Sequence, residues 1–120
     1  MRRLLPALLL AACASAPKPA PVVSDPSAQP MVRATPSNFE TCLIGQEFPY
    51  AAEVEVRLSA SPDGFVEDAV VVSSTDVCLN PAVLRAVRKW RYPPKMVDGE
   101  LAARKDIRAI IRIIAEEEPQ

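Results

Sequence analysis

The stretch Val87-Arg88-Lys89-Trp90-Arg91-Tyr92-Pro93-Pro94 closes a helical pattern, holds the only tryptophan, and ends in two prolines. Proline lacks a backbone N–H and clashes with the preceding turn, so no helix continues through this pair. Upstream, Val83, Leu84, Val87 and Trp90 recur at helical spacing, while Arg85, Arg88, Lys89 and Arg91 fill much of the rest. That is the pattern of a helix with one buried face. Asn80 before Pro81 predicts its start, an N-cap followed by proline at the first helical position.

Two strands are expected before this helix. Val54, Val56, Leu58 and Ala60 alternate with Glu53, Glu55, Arg57 and Ser59, the period of a strand with one wet face. Ser61-Pro62-Asp63-Gly64 is a turn, because Pro presets φ, Asp bonds its own backbone and Gly accepts positive φ. Residues 65–73, with Val70-Val71-Val72, form the second strand of a hairpin. After the prolines, Asp98-Gly99 marks a loop. Residues 106–116 form the last strand, with Ile107, Ala109, Ile111 and Ile113 on one face. The predicted fold is α+β, a small antiparallel three-stranded sheet on one main helix in β-β-α-β order.

The chain of 120 residues has room for one small domain. Arg2 and Arg3 precede a short apolar run at residues 4–12, broken by Pro6. A bilayer needs roughly 20 apolar residues, so this run reads as a secretion signal and not a span. It ends Leu10-Ala11-Ala12-Cys13, which resembles the bacterial lipobox. Residues 1–12 would be cleaved before a lipidated Cys13. An ordinary signal cut after Ala14-Ser15-Ala16 is the alternative, with Pro17 awkwardly placed behind the cut. Ala14 after the cysteine implies the outer membrane by resemblance to enterobacterial lipoproteins. The protein would then be periplasm-facing and lipid-anchored, in the outer membrane by that rule. Several acyl chains anchor stably at about 0.8 kcal/mol per buried methylene.

Residues 13–38 carry Pro17, Pro19, Pro21, Pro26, Pro30 and Pro36. This composition predicts an extended linker without a core, reaching at most ~75 Å at about 3.1 Å per residue. With Cys13 given to lipid, Cys42 and Cys78 remain as a pair. In an oxidising compartment they form a plausible disulfide, the alternative being two unpaired buried thiols.

Residues 54–64, 66–74, 79–94 and 107–114, taken in this order, resemble the TonB C-terminal domain over about residues 48–115. The fold signature is Asp63, Gly64, Trp90, Arg91, Tyr92 and Pro94. The resemblance implies a domain spanning residues 39–116, with 117–120 as a tail. It also implies a periplasmic role in TonB-linked transmembrane transport. In that family the last strand is an open edge that pairs with a short extended segment of an outer-membrane transporter. Full-length members reach an inner-membrane motor through a spanning helix with a histidine. This chain has no histidine, so direct energy transduction would require a different N-terminus. The short helix often found before the family's first strand is expected to be shortened or absent, since Phe48-Pro49-Tyr50 runs almost directly into Glu53.

The last strand's outer face, Arg108, Ile110, Arg112 and Ile114, is the candidate partner-binding strand. Isoleucines on a wet face suit either strand pairing with a partner or cover by residues 39–50. Its partner would be an outer-membrane protein or transporter segment, with self-association through the sheet edge as a further possibility. Nine Lys and Arg from Arg85 to Arg112 face only Asp98, Glu100 and Asp106 within that span. They suit an envelope accessory that contacts peptidoglycan or headgroups. They equally suit a solvated face balanced by Glu53, Glu55, Glu67 and Asp68. Trp90 is expected in the core, between helix and sheet. A net charge of −1 gives no argument for nucleic acid. Ser73-Ser74-Thr75-Asp76 lacks a base, three scattered glycines make no phosphate loop, and no cofactor, metal or catalytic site is indicated.

Overall fold

The computed structural model describes residues 19–118. The signal segment and Cys13 lie outside them. The elements are β1 (Val22–Ser24), a 3-10 turn at Glu40–Leu43, β2 (Tyr50–Ala60), β3 (Val66–Ser74), a 3-10 turn at Val77–Leu79, α1 (Asn80–Val87), β4 (Met96–Val97), β5 (Glu100–Leu101) and β6 (Ala103–Ala115). The α+β class stands, but the sheet has four strands in the order β1-β6-β2-β3, and β1 runs parallel to β6. A separate two-stranded β4–β5 hairpin replaces the expected loop. Asp98 and Gly99 at its tip both have positive φ, 51° and 82°, as the two-residue turns that match strand twist require.

The period-two reading of the two long strands is borne out residue by residue. Val54, Val56, Leu58 and Ala60 of β2 and Ile107, Ala109, Ile111 and Ile113 of β6 are all buried. They form one layer with Leu79, Val83, Val87 and Trp90. Burying a side chain of this size contributes roughly 1.5–3 kcal/mol, so this layer is the main source of stability.

The helix differs from expectation at both ends. Leu79 occupies the N-cap position, Asn80 is already helical, and no side chain caps the start. Asn80 Oδ1 is buried without a hydrogen-bond partner. Capping shifts upstream, where the Asp76 carboxylate accepts from the Cys78 N–H and opens the preceding 3-10 turn. At the other end α1 stops at Val87, and Lys89 and Trp90 close it with i→i−3 bonds to Ala86 and Val87. Trp90 is therefore buried from a turn, not from the helix itself.

The proline-rich segment departs most from expectation. Residues 22–34 lie against the domain. β1 pairs with residues 103–105, Val32 bridges Arg91, and Ala34 O accepts from Trp90 Nε1 at 2.8 Å. The low apolar content shows in the exposure, since no residue from 19 to 38 is fully buried, although Ala28 and Ala34 pack against the core cluster. What it could not reveal is the free backbone edge that orders three residues by hydrogen bonding alone. The segment before β2 is a single 3-10 turn tied by the Cys42–Cys78 disulfide. Leu43, Phe39 and Phe48 point into the core cluster, so residues 39–50 do not cover the outer face.

Candidate functional site

One edge of β6 pairs with β2 from Tyr50 to Ala60. The other edge is the candidate site. Its first part is occupied: the Ala103 N–H donates to Pro21 O at 2.8 Å, the Asp25 N–H to Lys105 O at 3.0 Å, and the Arg108 N–H to Pro26 O at 3.2 Å. Odd residues face this edge before residue 106 and even residues after it. The switch comes from Asp106, whose φ of 57° inserts a bulge, seen in the β2 register as a shift between Leu58 and Ala60. By the same alternation the backbone groups of Ile110, Arg112 and Ile114 face outward. Among the described residues no strand pairs with them.

Beside this open stretch runs a groove. A cleft of about 320 Å³ is lined by Pro30, Arg33, Trp90, Tyr92, Arg108 and Ile110. A second of about 180 Å³ continues it along Ala34, Pro36, Ile110 and Arg112. Trp90 is a core residue, only 2% exposed, yet its rim lines both clefts and Arg33 lies over its ring at 4.8 Å. Arg33 was not legible as a lining residue, because its segment read as a detached linker.

The four side chains singled out on β6 share the face away from the helix. Ile110 is 49% and Ile114 is 60% exposed. Arg108 reaches Glu55 at 2.7 Å and Arg112 reaches Glu53 at 2.7 Å. The hydrogen bond from Arg108 holds the Glu55 carboxyl below its ordinary range. Such exposed pairs are screened by water and contribute little to stability. They neutralise part of the basic set. Arg104 also leaves that set, being 4% exposed, donating to Pro93 O and lying 5.5 Å from the Tyr92 ring centre.

The signature residues lock the turn to the helix end. The Tyr92 N–H donates to Gly64 O at 2.9 Å, Phe65 bridges Arg91, and the Arg91 guanidinium stacks on Phe65 at 3.8 Å. Tyr92 is 1% exposed and its hydroxyl has no partner. Burial pushes that phenol up to about 12. Burial and the 2.5 Å bond that Tyr50 donates to Asp76 push the Tyr50 phenol to about 12 as well. In the unfolded chain both titrate near 10. Their contribution is therefore full below about pH 10 and is lost as pH rises through about 12. Tyr92→Phe removes one such group together with an unpartnered hydroxyl. The variant is expected to match or exceed the parent within about 1 kcal/mol at pH 7, and to lose less stability between about pH 10 and 12. Urea midpoints across that range check this. An unchanged alkaline loss would refute the assignment.

Residues 50–113 match the family model described as Gram-negative bacterial TonB protein C-terminal. A solution NMR structure of the Pseudomonas aeruginosa TonB C-terminal domain superposes with a TM-score of 0.52 at 20% identity, covering 82% of this chain and 95% of that one. That likeness shows the fold. No curated protein matches the chain at a significant level.

Proposed function

The chain belongs to the TonB C-terminal family, and from that membership we propose that it is a periplasmic binding module that takes an extended segment of an outer-membrane transporter as an added strand on β6. The observation that carries this reading is the unpaired edge at Ile110, Arg112 and Ile114 beside the Trp90 groove. Main-chain bonds along such an edge supply affinity and the groove supplies selectivity. Cys13, behind a lipobox-like sequence, is the proposed lipid attachment. It would hold the module at a membrane, outer by the Ala14 rule. A lipid cannot transmit a motor's work, so this module binds without driving transport directly. An envelope-accessory role through basic residues has less support, because Arg108 and Arg112 are paired and Arg104 is buried.

A photo-crosslinking residue at Arg112 or Ile114 in the full chain is expected to trap an outer-membrane protein in cells. Cys13→Ala is expected to abolish acyl labelling and reduce that capture. Capture from Arg85 or Arg88, with none from the β6 positions, would overturn strand pairing. An adduct to a second copy would replace the transporter with self-association.

A further inference from the structure

The β6 edge is already partly filled by the protein itself. We propose that residues 22–26 are a built-in occupant of the partner's site, and that Arg104 selects what replaces them. The replacing strand runs parallel to β6 and carries a carboxylate where Asp25 lies. This rests on the strand-pairing reading above and specifies its partner.

Four features support it. First, the arm is lightly held. No residue from 19 to 38 is buried, whereas every buried member of the core cluster lies between Leu43 and Ile113. Segments with few buried apolar contacts open at low free-energy cost. Second, the arm uses groups that any parallel added strand would use: the N–H of Ala103, the carbonyl of Lys105 and the N–H of Arg108.

Third, the arm leaves the edge early. Pro26 follows Asp25 in a turn closed by the Ala28 N–H on Asp25 O at 3.1 Å, with proline at its favoured second position. A partner without proline there can continue past Arg108 and bond the outward groups of Ile110, Arg112 and Ile114. It would gain pairings the arm never makes, which offsets the advantage of a tethered competitor.

Fourth, Arg104 sets a charge requirement. Its guanidinium is nearly inaccessible, Nε has no hydrogen-bond partner, and the Asp25 carboxylate lies 4.0 Å from Nη1. Lys95 Nζ reaches the same carboxylate at 3.8 Å. Removing the partner of a largely buried charge is costly, because the charge remains without compensation. A strand lacking the carboxylate would leave buried Arg104 without a counter-charge, its remaining partners being the Pro93 carbonyl and the Tyr92 ring, and one that supplies it would not. Ser24 Oγ adds a 3.1 Å bond to Asp106 at the bulge, which fixes the register of the carboxylate.

The probe is a labelled peptide copying residues 20–29, with a second peptide carrying Asn at the Asp25 position. The hosts are the full chain and its Asp25→Pro variant, which removes the arm's donor to Lys105 and its carboxylate. By fluorescence anisotropy the peptide is expected to bind the variant at least about tenfold more tightly than the parent, and the Asn peptide at least about tenfold more weakly on that variant. Amides of Ala103 and Arg108 are expected to exchange faster in the variant than in the parent, and in the parent faster than the β2–β6 amides, with near-ultraviolet circular dichroism unchanged. Equal binding by the two hosts, equal binding by the two peptides, or equal exchange of these amides in the two hosts would each overturn the proposal. Transporter capture from Arg112 or Ile114 without peptide discrimination would sink this inference alone. Peptide discrimination without any capture would sink the transporter reading and leave the arm.

Discussion

Gly64→Ala is expected to lower the free energy of unfolding by about 3–5 kcal/mol, at the upper end of single-residue effects. Gly64 has φ of +89°, and a Cβ built on it collides with the carbonyl oxygen of Tyr92. The left-handed backbone alone costs an L-residue roughly 1–2 kcal/mol. The collision adds more, since backbone cannot rotate away as a side chain can. The turn would have to separate from residues 90–92, breaking the 2.9 Å bond from Tyr92 to Gly64 and unseating two aromatic rings that are 2% and 1% exposed. Each buried hydrogen-bonding group left unpaired costs about 1–3 kcal/mol. Gly45 is the internal control, with φ of +81° and nothing within 4 Å of its would-be Cβ. Its alanine variant should show the backbone cost alone, roughly 1–2 kcal/mol. Urea denaturation at unchanged slope measures both. If the two variants lose the same stability, the contact with Tyr92 contributes nothing.

Removing the Cys42–Cys78 disulfide ranks second. The bond closes a loop of sequence separation 36, which the chain-entropy model values at about 3–4 kcal/mol. Small domains have total stabilities of about 5–15 kcal/mol, so the loss is a large fraction of the whole. Cys42→Ala with Cys78→Ala is the cleaner variant, because Cys42 packs half-buried against the core cluster and alanine adds no polar group there, while Cys78 is exposed. Reduction of the parent should shift the urea midpoint to that of the double variant, and reductant should leave the double variant unmoved. A parent indifferent to reductant would show that packing of Phe39, Leu43 and Phe48 suffices to hold the 3-10 turn.

How far the sequence reveals the fold depends on where each element finds its partners. β2, β3, α1 and β6 carry their own periodicity, and Val54 or Ile111 is apolar because its own face is buried. The disulfide was legible because two cysteines remained once Cys13 was set aside. β1 was not, since Val22 and Ser24 are exposed, Val23 is only half-buried, and its order comes from an edge some 80 positions away in the chain. The buried state of Arg104 was hidden for the same reason, because composition places it among solvated cations. The bulge at Asp106 has no signature in a strand of alternating isoleucines, yet it decides which residues turn their backbone to the open edge. The exposure of Ile110 and Ile114 on β6 is legible from the alternation; the groove beside them is not, because its opposite wall comes from the proline-rich segment.

The sheet order has a consequence in time. β6 is the last strand to be made, and it lies between β1 and β2. While the chain emerges N-terminus first, β2 and β3 have only each other, and an isolated hairpin is marginal in water. β1 has no neighbour at all until residues 103–105 arrive. Folding of the sheet must therefore wait for β6, and its central pairing joins residues 44 to 65 positions apart, which makes closure slow. The same delay leaves the isoleucine-rich 107–114 stretch uncovered until the final step, the interval in which a chaperone would be most useful.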